Sequence, residues 1–380
     1  MIGKKLMAVL FGLLMLAMPL AVGQVSAAST TTVILVSDNA ADKAIAEYLA
    51  NITGAVVVTT TWGTYDPNVT AEILSYAPSQ VIIIGGPDAV VEEYVTDLES
   101  YNITVYRWWG ANRYETDLAV IGNASKVLGI KFNSSVVVAG NDSLAIQVAL
   151  QLAVQNKAAI IYVNSTTNVS RIMKELGVKE MVMVQSRVSE KLMRKVAEQV
   201  RECNCTAKEV TANVTKEQVE RVMEHVRERL MALEEIANMT NSTALKEQVR
   251  EMVKLMEQVN QSLQSGNYTM AYQLALKLQV MTEFALKDAH MEFMKCMERN
   301  EAFKFEIELQ KIETQIQVLE KAGVNVSTVT PLLEQLKTAI QNGNYREAKF
   351  LLKEIKKLIH ELYRNDMDTI REHGSKKDRH

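Results

Sequence analysis

The chain has 380 residues, of which 48% are hydrophobic and 23% are charged, and its formal net charge is −3. This length predicts two domains. Residues 28–160 contain six Lys or Arg and thirteen Asp or Glu. The acidic balance excludes nucleic acid as a partner, and any anionic ligand would need a local basic pocket.

The first 28 residues have the pattern of an export signal. Lys4 and Lys5 precede an apolar run over residues 6–22, and residues 25–28 (VSAA) supply the small side chains that signal peptidase accepts. Cleavage is expected after Ala27 or Ala28, with an uncleaved anchor as the alternative. No later stretch has the ~20 uninterrupted apolar residues of a membrane helix. The mature chain is therefore expected to be secreted to the extracellular cell surface, without a transmembrane helix.

Short β-branched runs alternate with amphipathic stretches over residues 29–202. The runs predicted as buried strands are Val33–Val36, Ala55–Val58, Val81–Ile84, Val136–Val138, Ala159–Val163 and Met181–Val184. Fully apolar strands alternating with helices predict an α/β fold, with helices on both faces of a parallel sheet. The loop at residues 37–42 is mirrored by the loop at residues 140–145, so we predict two Rossmann-like units, residues 29–109 and 110–202, that pack together.

Two motifs in this region resemble the cell-wall-binding repeat type 2 family. Ile82–Val90 (IIIGGPDAV) has a strand that ends in Gly-Gly before an Ala-Val helix start, and Gly110–Thr116 (GANRYET) has the family's Gly-x-x-Arg-Tyr-x-Thr linker. The resemblance covers about residues 31–200 as two units. It implies non-catalytic units that associate through their faces and hold surface proteins by binding envelope polymer.

The second unit departs from the family's pattern. Gln185-Ser186-Arg187 stands where Gly-Gly is expected, and Asp117 replaces the alanine that ends the linker motif. The family often carries three units, whereas this chain has two. The second unit is therefore interpreted as degenerate.

The candidate ligand-binding residues surround the linker motif. They are Arg107, Trp108, Trp109, Arg113 and Tyr114. Aromatic faces and guanidinium groups suit sugar rings and anionic groups. In the competing structural interpretation, the two tryptophans pack between the units and Arg113 caps or pairs locally.

Fifteen Asn-x-Ser/Thr triplets occur in the chain, which is far above chance. The candidate glycosylation sites are Asn68, Asn102, Asn164, Asn213, Asn238 and Asn325. Together with the bacterial-style export signal, this density suggests an archaeal surface protein.

Residues 203–372 are predicted to form a helical-hairpin repeat domain, followed by a charged tail at 373–380. Apolar residues recur at three- and four-residue steps, and Leu255–Ala271 is repeated as Leu332–Ala348 around Gly266 and Gly343. No glycine or proline interrupts residues 267–322, which permits either one helix of about 80 Å or a kink near residue 300. An elongated bundle or coiled coil would suit a spacer, an oligomerisation stalk or a partner-binding arm.

The three cysteines leave the disulfide pairing open. Cys203 and Cys205 are one residue apart, a spacing that rarely meets the geometry of an unstrained disulfide. A bond from one of them to Cys296, leaving one free thiol, is the plausible alternative.

No catalytic or metal-binding pattern appears in the sequence. The five histidines lie in the helical half or the tail without a pair at ligand spacing, and the lone Gly85-Gly86 is weak evidence for a nucleotide site. We therefore expect no enzymatic activity, no cofactor and no metal.

Two functions from different classes follow from these patterns. The first is a non-catalytic envelope or S-layer component, with envelope polymer or surface-layer proteins as partners and a homo-oligomer compatible with the helices. The alternative is an extracellular solute-binding or enzymatic module with its ligand site near residues 107–114. A deep pocket with Arg113 pointing inward would favour the second, and a filled interface with Trp108 and Trp109 buried would favour the first.

Overall fold

The computed structural model describes residues 31–202 and 205–371 of the chain. The predicted export signal, Cys203 and the charged tail lie outside the described residues. Within the described part, no helix has the length and the apolar character needed to cross a membrane.

The first unit is a four-stranded parallel sheet with helical connections. Its elements are β1 (Thr32–Ser37), α1 (Ala40–Thr53), β2 (Val56–Thr60), α2 (Pro67–Ser75), β3 (Gln80–Ile84), α3 (Glu92–Ser100) and β4 (Thr104–Trp108). The strand order is β2-β1-β3-β4. The two central strands are almost wholly buried, in keeping with their apolar sequences.

The second unit repeats this arrangement. Its elements are α4 (Arg113–Val127), β5 (Ser135–Ala139), α5 (Ser143–Asn156), β6 (Ala159–Val163), α6 (Val169–Leu176), β7 (Glu180–Ser186), α7 (Glu190–Glu202) and β8 (Thr206–Ala212). All its strand pairs are parallel, and the order β6-β5-β7-β8 matches that of the first sheet. The predicted α/β class and the duplication are confirmed.

The two units pack through α1 and α5, the helices that follow the first strand of each unit. Ala41 of α1 shares one apolar cluster with Ala145 and Ala149 of α5, and these small side chains let the helix backbones approach closely. The Tyr162 hydroxyl of the second unit donates a 2.7 Å hydrogen bond to the Ala41 carbonyl of the first. The interface is therefore both apolar and specifically hydrogen-bonded.

The sequence analysis missed two strands, β4 and β8. Both are edge strands whose side chains are mostly exposed or half-exposed, and they lack the continuous apolar run that marks a central strand. β8 also lies within residues 203–372, which were assigned to helices. The second sheet thus continues past the predicted boundary at residue 202.

In the described part of the chain, β8 is followed by six helices of twelve or more residues. They are α8 (Lys216–Met239), α9 (Thr243–Gln264), α10 (Tyr268–Arg299), α11 (Glu301–Lys321), α12 (Thr330–Gln341) and α13 (Tyr345–Asn365). Helices α8, α9 and α10 share one apolar cluster, which also takes in Leu144 from the start of α5. The helical region predicted from the apolar periodicity is confirmed.

Helices α11 to α13 form a group that packs on α2 and the end of α3, the helices that cover one face of the first sheet. Val33 and Leu35 of β1 lie in the same buried cluster as Ile312 of α11 and Ile355 of α13. The helical half therefore folds back onto the α/β units and shares a core with them.

The same turn chemistry occurs in the two helical hairpins. Gly266 and Gly343 have φ values of +75° and +68°, which favour glycine, and each is followed by an asparagine that caps the next helix. Asn300 caps α11 by accepting a 3.1 Å bond from the Phe303 amide, so the long apolar stretch is broken there. The kink alternative is confirmed, and the single 80 Å helix is not formed.

Cys296 is a free thiol, whereas Cys205 is disulfide-bonded. The pairing with Cys296 that the sequence suggested is therefore wrong.

Candidate functional site

The carboxyl edges of the two sheets are where a parallel α/β fold normally binds a ligand. In both sheets the chain order reverses at the central pair of strands, β1 with β3 and β5 with β7. Ligands of open α/β sheets occupy the crevice at such a switch point, outside the carboxyl ends of the strands. The residues that follow β1 and β5 therefore define the candidate site.

At the first edge, Asp38 forms a bidentate ion pair with Arg229 of α8. The Asp38 carboxylate accepts bonds of 2.8 Å from Nε and 2.7 Å from Nη2 of Arg229, and a third bond from the Trp62 amide. Arg229 is 0% exposed. This two-bond fork is the strongest geometry available to a guanidinium and a carboxylate.

Glu283 of α10 joins the same group of side chains. Its Oε1 accepts bonds from Asn39 Nδ2 at 2.7 Å and from Arg229 Nη1 at 3.3 Å, and its Oε2 accepts a bond from Arg113 Nη2 at 3.1 Å. We call Asp38, Asn39, Arg113, Arg229 and Glu283 the first-edge cluster. The two guanidinium charges thus balance the two carboxylate charges, and the Asn39 amide adds a hydrogen bond. The cluster has little access to solvent.

At the second edge, Asp142 has the position that Asn39 has at the first, since each caps the helix that follows the first strand of its unit. Asp142 Oδ2 accepts bonds from Ser186 Oγ at 2.7 Å and Ser189 Oγ at 2.5 Å. Its Oδ1 accepts a 3.0 Å bond from the Tyr272 hydroxyl of α10, and that hydroxyl in turn accepts the Leu144 amide. This carboxylate is also fully occupied by protein groups.

Helix α10 therefore reaches both edges with a single face. Tyr272 and Glu283 are eleven residues apart, which is three helical turns and about 16 Å along the axis. They contact the two equivalent cap residues, Asp142 and Asn39. We call α8 and α10 the helical cover, because their side chains fill the crevices that a ligand would otherwise enter.

The electrostatics of the first-edge cluster follow from burial and pairing. Burial alone would lower the pKa of Arg229, but Asp38 and Glu283 outweigh it, so the pKa is raised and the charge is retained. For nearby Asp42, the effect of burial on the pKa is larger than that of the neighbouring Arg113. Burial raises its pKa from 3.8 to about 7, Arg113 opposes that change, and Glu283 adds to it.

Asp117, the residue that replaces the family's alanine, is buried beneath the second sheet. One of its oxygens accepts a 2.8 Å bond from the Tyr162 amide, and the other has no partner among the described residues. Burial raises the pKa of Asp117 well above its ordinary value, with the Tyr162 bond opposing. The departure from the motif therefore adds a backbone contact within the second unit.

The five predicted ligand-binding residues are taken up by different protein partners. Arg107 donates to the carbonyls of Gly85 and Val90 and to Glu92. Arg113 belongs to the first-edge cluster and also donates to the Gly140 carbonyl at 3.1 Å. Both guanidinium groups are engaged within the molecule.

The three aromatic candidates differ in exposure. Trp108 is buried in the apolar cluster shared by the two units, whereas Trp109 is 48% exposed. A Cβ at Gly86 would lie 2.9 Å from the Trp109 ring, and a Cβ at Gly140 would lie 2.7 Å from the Tyr114 ring. Only glycine leaves room for these aromatic rings, which gives the Gly-Gly motif a packing role.

Five of the six candidate glycosylation sites have exposed side chains: Asn68, Asn102, Asn213, Asn238 and Asn325. Asn164 is half-buried, and its side-chain oxygen accepts bonds from Thr166 and Thr167. Exposure is a requirement for modification, and use of these sites stays a prediction.

Sequence comparison finds a relative in Methanocaldococcus jannaschii, the uncharacterised protein MJ0755. The two are 32% identical over 286 residues, which is 73% of this chain and 79% of the relative. This chain belongs to the same family as that protein. No family model matches the chain. The archaeal relative fits the archaeal type of surface protein suggested by the sequence.

Two solved structures have partly similar folds. Cwp6 from Clostridium difficile matches with a TM-score of 0.39 and 25% identity, over 49% of this chain and 29% of that chain. Cwp8 from the same organism matches with a TM-score of 0.40 and 21% identity, over 48% of this chain and 31% of that chain. The match thus spans less than a third of the length of each.

The residues of the cover were not recognised from the sequence. Arg229 lies on the apolar stripe of α8 between Val226 and Leu233, and a charge on an apolar stripe was the available signal. Glu283 interrupts the buried face of α10 in the same way. Their partners Asp38, Asn39 and Arg113 are far away in sequence. No local pattern could therefore identify these contacts.

Proposed function

We propose that this protein is a non-catalytic, secreted component of the cell surface that binds envelope polymer or surface-layer proteins through its first α/β unit. The motifs over Ile82–Val90 and Gly110–Thr116 support this proposal through their resemblance to the cell-wall-binding repeat type 2 family. The export-signal pattern and the density of sequons support the surface location.

The observation that carries the proposal is the closure of both carboxyl edges by α8 and α10. Asp38 and Asp142 lie where a substrate would bind in an α/β enzyme, and both are occupied by side chains of the cover. Opening the first edge would leave Arg229 and Glu283 without their buried partners, and breaking such a pair costs about 3–5 kcal/mol. The edges therefore act as structural joints, and the binding surface must lie elsewhere.

Tyr106 and Trp109 are the exposed aromatic side chains of the first unit, and they are the groups best suited to contact a saccharide. They are 47% and 48% exposed, and they lie in and directly after the edge strand β4. Aromatic rings of this kind offer a flat apolar face to a sugar ring together with a polar edge. The Trp109 ring lies over Gly86, where a Cβ would come within 2.9 Å of it.

A binding assay on isolated envelope fractions tests the proposal. The chain from residue 29 and its Trp109→Ala variant would be titrated against purified envelope, with Phe284→Ala as the matched control. Phe284 is 68% exposed on α10 and lies outside the proposed surface. We expect saturable binding that weakens by tenfold or more, about 1.4 kcal/mol, in Trp109→Ala and stays unchanged in Phe284→Ala.

Absence of saturable binding, or equal losses in the two variants, would contradict the proposal. Circular dichroism of each variant would show that the fold is retained. Tyr106→Ala supplies a second variant that does not touch the Gly86 contact.

A further inference from the structure

A basic cleft lies between α13 and the end of α3. Its volume is about 420 Å³, which is within the range of small-molecule sites. The lining residues are Ser100, Tyr101, Asn102, Lys353, Lys356, Lys357, His360, Glu361 and Arg364. None of these residues belongs to the first-edge cluster or to the five predicted ligand-binding residues.

The charge of the cleft is opposite to that of the molecule. Four permanent cations and one carboxylate line it, whereas the whole chain has a net charge of −3. Lys356 pairs with Glu308 at 2.5 Å, and Lys357 lies 4.0 Å from Glu361. Lys353 and Arg364 form no ion pair within the described residues. The lining therefore has more cations than carboxylates, and this excess favours an anionic ligand.

Neutral groups complete the lining. Ser100 Oγ donates a 2.6 Å bond to the Asp97 carbonyl and lies 3.3 Å from Nε2 of His360, from which it can accept. The His360 ring packs edge-on against Tyr101 at a centroid distance of 4.3 Å, which fixes its orientation. Asn102, one of the candidate glycosylation sites, lies at the rim with its side chain exposed.

We propose that this cleft binds an acidic saccharide, with Lys353 and Arg364, which lie about 16 Å apart along α13, contacting carboxylate, phosphate or sulfate groups on different sugar residues, and with Ser100 and Asn102 contacting hydroxyl groups. Such a saccharide could belong to the envelope polymer or to a glycan attached at Asn102. The inference rests on the proposed function only if the envelope polymer is the ligand. The affinity of the cleft itself can be measured with a defined probe.

The probe is the trimer of galacturonic acid, titrated calorimetrically into the unglycosylated chain from residue 29 at low ionic strength. Its uncharged methyl ester is the control ligand. We expect one binding site for the acid, at least tenfold weaker binding in 0.5 M salt, and no binding of the ester.

The matched variants are two double substitutions on the same helix. Lys353→Gln with Arg364→Gln removes the two unpaired cations of the cleft, and Arg346→Gln with Lys349→Gln removes two exposed cations of α13 outside it. We expect a loss of tenfold or more in the first pair and less than twofold in the second. Equal losses, or no binding of the trimer to the parent chain, would overturn the proposal.

His360 adds a pH signature that non-specific attraction would lack. Burial lowers its pKa, Lys356 and Arg364 lower it further, and Asp97 on α3 opposes them, while Tyr101 and Tyr363 pack around it. A bound anion raises that pKa, so affinity should increase as the pH falls and His360 becomes protonated. His360→Gln should remove this increase. Binding that is independent of pH in the parent chain would contradict the role of His360.

The source of the saccharide is distinguished with glycosylated protein from a host that modifies sequons. If a glycan at Asn102 fills the cleft, the glycosylated chain should reject the trimer and Asn102→Gln should restore binding. If the envelope polymer is the ligand, both the glycosylated chain and its Asn102→Gln variant should bind the trimer. Binding of the trimer without binding of envelope fractions would support the cleft as a binding site and would contradict the proposed function.

Discussion

Asp42 is a buried residue whose ionisation the fold opposes. It lies in the first turn of α1, buried beside Gly85, and it receives none of the direct bonds that compensate Asp38. Burial raises its pKa to about 7, Arg113 lowers it, and Glu283 raises it. A group that binds its proton more tightly when folded stabilises the fold at low pH and loses that contribution as pH rises.

Asp42→Asn should therefore stabilise the protein at high pH only. Between its ordinary value of 3.8 and about 7, the folded state holds a proton that the unfolded state releases. We expect the variant to gain up to about 4 kcal/mol in the free energy of unfolding at pH 8, and nothing at pH 3.5. Urea denaturation across this range measures the difference.

Asp368→Asn is the control, because the Asp368 side chain is 97% exposed. Its stability profile should follow that of the parent chain. A constant difference between Asp42→Asn and the parent at all pH values would contradict the assignment.

At the scale of elements, the sequence predicts what depends on local patterns. The six apolar strands and the Gly-Asn turns of both hairpins are visible because burial and positive φ restrict the residue type. The strands β4 and β8 are hidden because most of their side chains are exposed or half-exposed, so that neither has a continuous apolar run. The first-edge cluster is hidden for another reason: Arg229 and Asp38 are 191 residues apart and meet only through tertiary packing.

The hairpin turn at Gly343 makes a prediction at this scale. Its φ of +68° strains any residue with a Cβ, although no atom lies within 4 Å of that position. Gly343→Ala should therefore destabilise the fold by about 1 kcal/mol through backbone strain alone. Thermal unfolding measures the change.

Gly122→Ala is the matched control for that substitution. Gly122 also has open space around its Cβ position, but it lies inside α4 without a positive φ. Here alanine should stabilise by about 0.5–1 kcal/mol, because it favours a helix. Changes of the same sign in both variants would contradict the role of the turn.

At the scale of the whole molecule, the helices complete the α/β units in two ways. Helices α8 and α10 cover the carboxyl edges of both sheets, and α11 to α13 pack on α2 and the end of α3, which cover one face of the first sheet. A spacer or stalk would leave the sheets without these contacts. The account therefore depends on the cover being as stable as the sheets it closes.

Native-state hydrogen exchange tests that claim most directly. We expect the amides of α8 and α10 around Arg229 and Glu283 to open with the same free energy as those of β1 and β3, because opening the cover exposes the buried charges of the first-edge cluster. Arg229→Met should lower both values together by about 3–5 kcal/mol, whereas the exposed control Arg227→Met should leave them unchanged. Exchange in α8 and α10 that is much easier than in the strands would contradict the account, since it would mean that the edges open to admit a ligand.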